Sequence, residues 1–181
     1  VEVGPVIIDR TIDAPTVTLV SDTGLLSNDG VTKTGLIKVL SNEPLSTVEY
    51  RAEDGGDWLV VELTDNQFLL PEATYDNLTV RVTDRAGNVS AEVPVGRVVV
   101  DTSYADITAR LADDTGTDGD GVTEVGTIIV DNVEAGAIVQ YLTGNDGATW
   151  QNAAFENGQF TLPNGSYDNL MVRAIDLAGN V

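Results

Sequence analysis

The chain is one module written twice. Phe68-Leu-Leu-Pro-Glu-Ala-Thr-Tyr75-Asp-Asn-Leu-Thr-Val-Arg-Val-Thr-Asp84-Arg-Ala-Gly-Asn-Val89 returns as Phe160-Thr-Leu-Pro-Asn-Gly-Ser-Tyr167-Asp-Asn-Leu-Met-Val-Arg-Ala-Ile-Asp176-Leu-Ala-Gly-Asn-Val181, at a constant offset of 92. Trp58 and Trp150 share that offset, as do Asp54 and Asp146. Asp29-Gly-Val-Thr32 matches Asp120-Gly-Val-Thr123 at 91, and so does Tyr50 with Tyr141, so a deletion before Asp120 is compensated by an insertion just after Tyr141. Each copy must therefore find its fold within about 90 residues. A module of that size buries only about 60–65% of its unfolded surface, so its margin of stability is small.

The phase of the repeat is offset by one strand. Val1-Glu-Val-Gly-Pro-Val-Ile-Ile-Asp9 matches Val93-Pro-Val-Gly-Arg-Val-Val-Val-Asp101, again at 92. Residues 1–9 thus read as the last-strand remnant of a preceding repeat, 10–101 as repeat 1, and 102–181 as repeat 2 lacking its final strand. The expectation is a segment of a longer array. A sandwich without its last strand exposes an edge that invites strand donation, and Val1–Ile8 has the sequence to fill that gap in a neighbouring molecule.

Within a module the apolar residues alternate with period two, the signature of strands rather than helices. Thr16–Val20, Thr34–Leu40, Thr47–Arg51, Trp58–Glu62, Gln67–Leu70, Leu78–Thr83 and Val93–Val100 are short, mostly β-branched or aromatic runs. Turn clusters separate them: Ser21–Gly30, Asn42–Pro44, Asp54–Asp57, Thr64–Asn66, Pro71–Thr74 and Arg85–Asn88. The predicted fold is all-β: tandem immunoglobulin-like Greek-key β-sandwiches of about seven strands each. Tyr75 and Tyr167 stand where a tyrosine corner would lie. Asp84–Asn88 reads as a tight hairpin in which the Asp side chain caps the turn and Gly87 supplies a positive φ.

Composition removes whole classes of function. With no Cys and no His there is no disulfide, thiol nucleophile, Ser-His triad, conventional zinc site or near-neutral proton switch. Nine Lys+Arg against 29 Asp+Glu, a formal charge of −20, argues against nucleic acid and anionic membrane as partners, because both need cations on the protein. No apolar run approaches the ~18 residues of a membrane span, so membrane insertion is not expected. Yet 42% hydrophobic residues are too many for a disordered acidic tail.

Repulsion among so many carboxylates calls for compensation. Strand order puts loop 21–30, loop 71–76 and the exit at Asp101 at one end of a module. The loop at 42–44 (132–135 in the second copy) and the hairpin 84–88 (176–180) fall at the other end. A junction would then gather Asp22, Asn28, Asp29, Glu72 and Asp76 with Asp101 and the Thr102 carbonyl, and Asp106, Asn132, Glu134, Asp176 and Asn180 from the second copy. Asp9, Asp13, Asp84 and Asp168 join the candidate set, as do Asp114, Asp118 and Asp120 of the loop Asp114-Thr-Gly-Thr-Asp-Gly-Asp-Gly121. Hard cations such as Ca2+ take six to eight oxygen ligands of these kinds. That loop is not an EF-hand, since no helices flank it and the Glu at loop position 12 is missing. It also lacks the glycine spacing of a calcium β-roll.

The pattern of Val98-Val-Val-Asp101-Thr, Asp114-Thr-Gly…Asp120-Gly-Val-Thr123 and Tyr167…Val172-Arg-Ala-Ile-Asp176-Leu-Ala-Gly-Asn180 resembles the bacterial immunoglobulin-like repeats of giant adhesins. These are the repeats-in-toxin and biofilm-associated adhesins exported by type I secretion. Asp9-Arg-Thr-Ile-Asp-Ala-Pro15 keeps the usual Ala-Pro of their linkers, whereas Asp101–Asp106 has no Pro. The resemblance implies extracellular spacer repeats on a bacterial surface, anchored at the outer membrane and stiffened by calcium at the linkers between neighbouring repeats. Such an array would project a distal ligand-binding region. The alternative is a ligand-binding module for carbohydrate or another cell surface. Sugar platforms use exposed aromatics, but Trp58 and Trp150 occupy equivalent positions in both copies, which argues for packing. An enzyme is not expected, because no long loop or second layer is available to enclose a cleft for a pair of catalytic carboxylates.

Overall fold

The computed structural model describes residues 1–144 and 149–181. Asp146, the repeat partner of Asp54, lies outside the described residues. The chain is all-β and divides into two units, Val1–Thr102 and Ser103–Val181.

Unit 1 contains eight strands: β1 (Thr16–Leu19), β2 (Val31–Thr32), β3 (Leu36–Leu40), β4 (Thr47–Arg51), β5 (Leu59–Val61), β6 (Gln67–Leu69), β7 (Ala73–Thr83) and β8 (Val93–Val100). They form a three-stranded sheet, β1-β3-β6, and a five-stranded sheet, β2-β8-β7-β4-β5. Alternation explains the core. Ile37 and Val39 of β3, Phe68 of β6, Val48 and Tyr50 of β4, Leu78, Val80 and Val82 of β7, and Val98 and Val100 of β8 are all buried in one cluster drawn from both sheets. Tyr50 stacks on Phe68 at 5.5 Å and meets Tyr75 edge-on at 6.4 Å.

Two differences from the sequence reading have physical causes. β2 adds an eighth strand to the expected seven. It is only two residues long, pairs parallel with β8 through Val31↔Val99 and Thr32↔Val100, and is too short to show a period. Gly30 permits the approach: its φ is +73°, and a Cβ there would sit 2.3 Å from the Arg97 carbonyl oxygen. The expected turn at Pro71–Thr74 is also shorter, because β7 begins at Ala73 opposite Val100. The β7–β8 ladder shifts register between Tyr75 and Thr79, where Gly96 takes φ +98°, as a β-bulge requires.

Unit 2, among its described residues, has six strands: β9 (Thr108–Leu111), β10 (Thr127–Asp131), β11 (Ile138–Leu142), β12 (Gln151–Asn152), β13 (Gln159–Thr161) and β14 (Met171–Ile175). The sheets are β13-β10-β9 and β12-β11-β14. The repeat equates β9–β14 with β1, β3, β4, β5, β6 and β7. Among the described residues none forms a strand corresponding to β2 or β8. β14 is accordingly five residues long where β7 has eleven, and Tyr167, Leu170 and Val172 are half-buried where Tyr75, Leu78 and Val80 are buried.

The tight turns recur in both units. Thr64-Asp-Asn-Gln67 and Glu156-Asn-Gly-Gln159 each close with reciprocal backbone hydrogen bonds of 2.9–3.1 Å. Both central residues of each turn have positive φ, the geometry of a type I′ hairpin. Tyr75 Oη donates to the Pro71 carbonyl at 2.9 Å and Tyr167 Oη to the Pro163 carbonyl at 2.7 Å, the bond expected of a tyrosine corner.

Candidate metal centre

The loop after the first strand is built alike in the two units, around a threonine that sequence reasoning passed over. Thr32, fully buried, donates its hydroxyl to the Ser21 carbonyl at 2.8 Å and receives the Thr34 amide at 3.2 Å. Thr123 does the same with the Asp113 carbonyl at 2.8 Å and the Val125 amide at 3.0 Å. Thr23 accepts from the Lys33 amide, and Thr115 from the Glu124 amide, both at 2.9 Å. The signal was present in the repeated Asp-Gly-Val-Thr, which had served only to align the copies.

This framework turns an aspartate inward. Asp22 Oδ2 accepts the Gly30 amide at 2.9 Å. Asp114 Oδ2 accepts the Gly119 and Gly121 amides at 2.9 and 3.2 Å. In each case the other oxygen, Oδ1, is buried and accepts no hydrogen bond. An anionic oxygen removed from water without a donor costs about 1–3 kcal/mol or more, and the same deficit occurs at the same place twice. Chemically such an oxygen suits a hard cation or the O–H of a water. Asp29 and Asp120 close the loops by accepting the amides two residues on, at 3.0 and 2.9 Å. Asp118 and Asn28 are exposed on them.

The far end of unit 2 gathers a second group. One oxygen each of Glu134 and Asp176 lie within 4.8 Å of each other. They line a cavity of about 10 Å³ with Tyr104, Ala105, Ala137, Ala174 and Asn180, close to the ~10–15 Å³ that one water occupies. Asp176 is buried. Its oxygens also hold the hairpin: Oδ1 takes the Asn180 amide and Oδ2 the Asn180 side-chain amide, both at 2.8 Å. Asp84 makes the same pair of bonds with Asn88, at 2.8 and 2.7 Å, and Gly87 takes φ +90°. The Asn88 side chain holds the Asp84 carboxyl below the usual Asp range, with the backbone amides of Asn88, Ala86 and Gly87 adding to it against the opposing effect of desolvation.

Most of the remaining candidates have local contacts within their own units. Asp101 closes β8, its amide donating to the Thr32 carbonyl at 3.0 Å, while the Thr102 amide and hydroxyl both donate to Glu72. Asp76 lies 3.8 Å from the Arg97 guanidinium. Asp9 accepts the Thr11 amide at 3.3 Å, and Asp9, Asp13 and Asp106 are exposed. The Asn132 side chain donates to the Asp106 carbonyl at 3.3 Å. Asp168 is exposed and accepts the Gly144 amide through its backbone.

The tryptophans are capped by arginines. Arg81 lies 4.0 Å and Arg51 5.0 Å from the Trp58 ring centroid, and Arg173 lies 4.2 Å from that of Trp150. Each indole thus packs against at least one guanidinium.

No family model matches the chain, and no characterised protein matches it significantly.

Proposed function

We propose that the chain is two successive spacer modules of a large bacterial surface adhesin, each an immunoglobulin-like β-sandwich. In this reading calcium at the acidic loops and linkers stiffens the array. The sandwich is supported by the single core of unit 1, which draws on both of its sheets, and by the two tyrosine bonds. The extracellular location, the outer-membrane anchor and the distal ligand-binding region rest on the resemblance of the motifs quoted above.

The observation that carries the calcium reading is the buried Oδ1 of Asp22 and of Asp114, without a donor at equivalent positions of both units. Asp22 and Asp29, Asp114 and Asp120, and Glu134 with Asp176 are the side chains we assign to cations. Asp101 and the Thr102 carbonyl are the linker's own contribution. Bound calcium would supply charge neutralisation and cross-linking of loops, not catalysis. An ion present at 100 times its dissociation constant stabilises the native state by about 2.7 kcal/mol.

Thermal unfolding in millimolar calcium, in magnesium and in excess chelator tests this. The expected result is a rise of more than ~10 °C given by calcium alone, reduced in the Asp22→Asn and Asp114→Asn variants. Equal melting temperatures in all three conditions would overturn the reading.

A further inference from the structure

The two units finish one edge strand differently. β5 lies at the end of the five-stranded sheet and pairs with β4 through Tyr50↔Leu59, Glu49↔Val60 and Val48↔Val61. Among the described residues no strand pairs with its outer side. Leu59 is 49% and Val60 65% exposed there. β12 holds the same place at the end of its own sheet, paired with β11, but its residues Gln151 and Asn152 are polar and exposed. One copy of the module thus builds this edge without exposed apolar side chains, so the fold does not require them in the other. An open apolar edge offers unpaired N–H and C=O groups to any extended chain, and proteins usually blunt it.

The ends of β5 define the kind of chain that fits. Glu53 and Asp57 precede the strand, Glu62 and Asp65 follow it, and all four are exposed. Arg51 and Arg81, which flank Trp58 at the start of β5, are already paired with Glu92 and Glu49. In unit 2 the counterparts of Asp57, Glu62 and Asp65 are Thr149, Ala154 and Asn157, so acids and apolar pair disappear together. A second copy is a poor occupant. Antiparallel self-pairing about Val60 lays the Asp57 end of each strand beside the Glu62 end of the other, and parallel pairing sets each acid against itself. Like charges facing across a ladder are destabilising. A chain with a cation at each end meets attraction at both.

We propose that β5 is a docking edge for an extended protein segment, which adds to the sheet of unit 1 as a sixth strand. The segment carries β-branched or other apolar residues at its centre, against Leu59 and Val60, and Lys or Arg at its ends, against Asp57 and Glu62. Backbone bonds to the free side of β5 supply the attachment, and the charged ends supply the choice of partner. The inference uses unit 1 alone and stands apart from the calcium reading, so its test is run in chelator.

The probe is the capped hexapeptide Lys-Val-Thr-Val-Thr-Lys, titrated into the whole chain and followed by amide resonances. Saturable shifts centred on Leu59, Val60 and Val61 are expected, half complete at ~1 mM peptide. Replacing both peptide lysines by Glu should weaken binding about tenfold or more. Prolines at the third and fourth peptide positions should abolish it, because one of any two adjacent amides must face β5. The variant Leu59→Gln, Val60→Asn, which carries the residues of unit 2, should lose binding with an unchanged circular dichroism spectrum. The variant Asp57→Lys, Glu62→Lys should invert the preference and take the Glu peptide over the Lys one. No shift at ~10 mM peptide, or a preference unmoved by that charge reversal, would overturn the proposal. Shifts that survive the prolines or the Gln/Asn variant would overturn it as mere adsorption by charge. The same shifts on concentrating the protein alone would overturn it in favour of a second copy.

Discussion

Asp84 and Asp176 show how one residue type can serve a turn and leave capacity over. Each carboxylate receives a backbone and a side-chain amide from the asparagine four residues on, yet a carboxylate has about four acceptor sites. The charged form is the one those amides stabilise. Asp84 therefore adds stability above the ordinary Asp range, and the contribution is lost as pH falls through its depressed folded-state value. An NMR titration of the Asp84 carboxyl should give a midpoint below 3.8, and Asn88→Ala should move it back up. An unmoved midpoint would mean the side-chain bond is not its cause. This hairpin was legible in sequence because Asp, Gly and Asn stand at fixed places in five residues. The unpartnered oxygens of Asp22 and Asp114 were not, since an unmet bond depends on every neighbour that fails to supply a donor.

At the scale of elements, the outward faces of β4 and β7 are tied together. Arg81 pairs with Glu49 at 3.0 and 3.3 Å, Thr83 Oγ1 donates to Glu49 at 3.2 Å, and Arg81 covers Trp58. Glu49 sits opposite Arg81 in the ladder. Unit 2 keeps the plan with a neutral acceptor: Arg173 donates to Gln140 at 2.8 Å and covers Trp150. Arg81→Ala should remove a cation–π contact and a partly screened ion pair, about 1–2 kcal/mol together. In a module this size that lowers the melting temperature by roughly 5–15 °C. Arg81→Lys should recover only part of it, because an ammonium cannot reproduce the planar fork. An Arg81→Ala protein as stable as the parent would show the network to be ornamental. Alternation told which residues of β4 and β7 face outward, but pairing across strands needs the register. β2 escaped notice for the related reason that its two residues are strand only by virtue of β8 beside them.

For the whole molecule, the two copies of one sequence plan are unequal in burial. Tyr75, Leu78 and Val80 are at most 5% exposed, whereas Tyr167, Leu170 and Val172 are half-open to water. In dilute, calcium-free solution unit 2 should therefore unfold first. Single-tryptophan variants separate the two: with Trp58→Phe the remaining Trp150 should report the lower transition, and with Trp150→Phe the remaining Trp58 the higher. Coincident transitions would mean that the exposure of Tyr167, Leu170 and Val172 costs unit 2 nothing.

β8, last in sequence within unit 1, is an interior strand in space, lying between β2 and β7. A chain delivered from its N-terminus thus cannot complete the five-stranded sheet until residue 100 arrives. At ~5–20 residues per second of synthesis, ~3–14 s pass between delivery of β2 and of the β8 it pairs with, and ~1–3 s in which the finished β7 has one open side. Completion of the unit 1 sheet is then a single late event, timed by delivery of its final segment instead of by the speed of its hairpins.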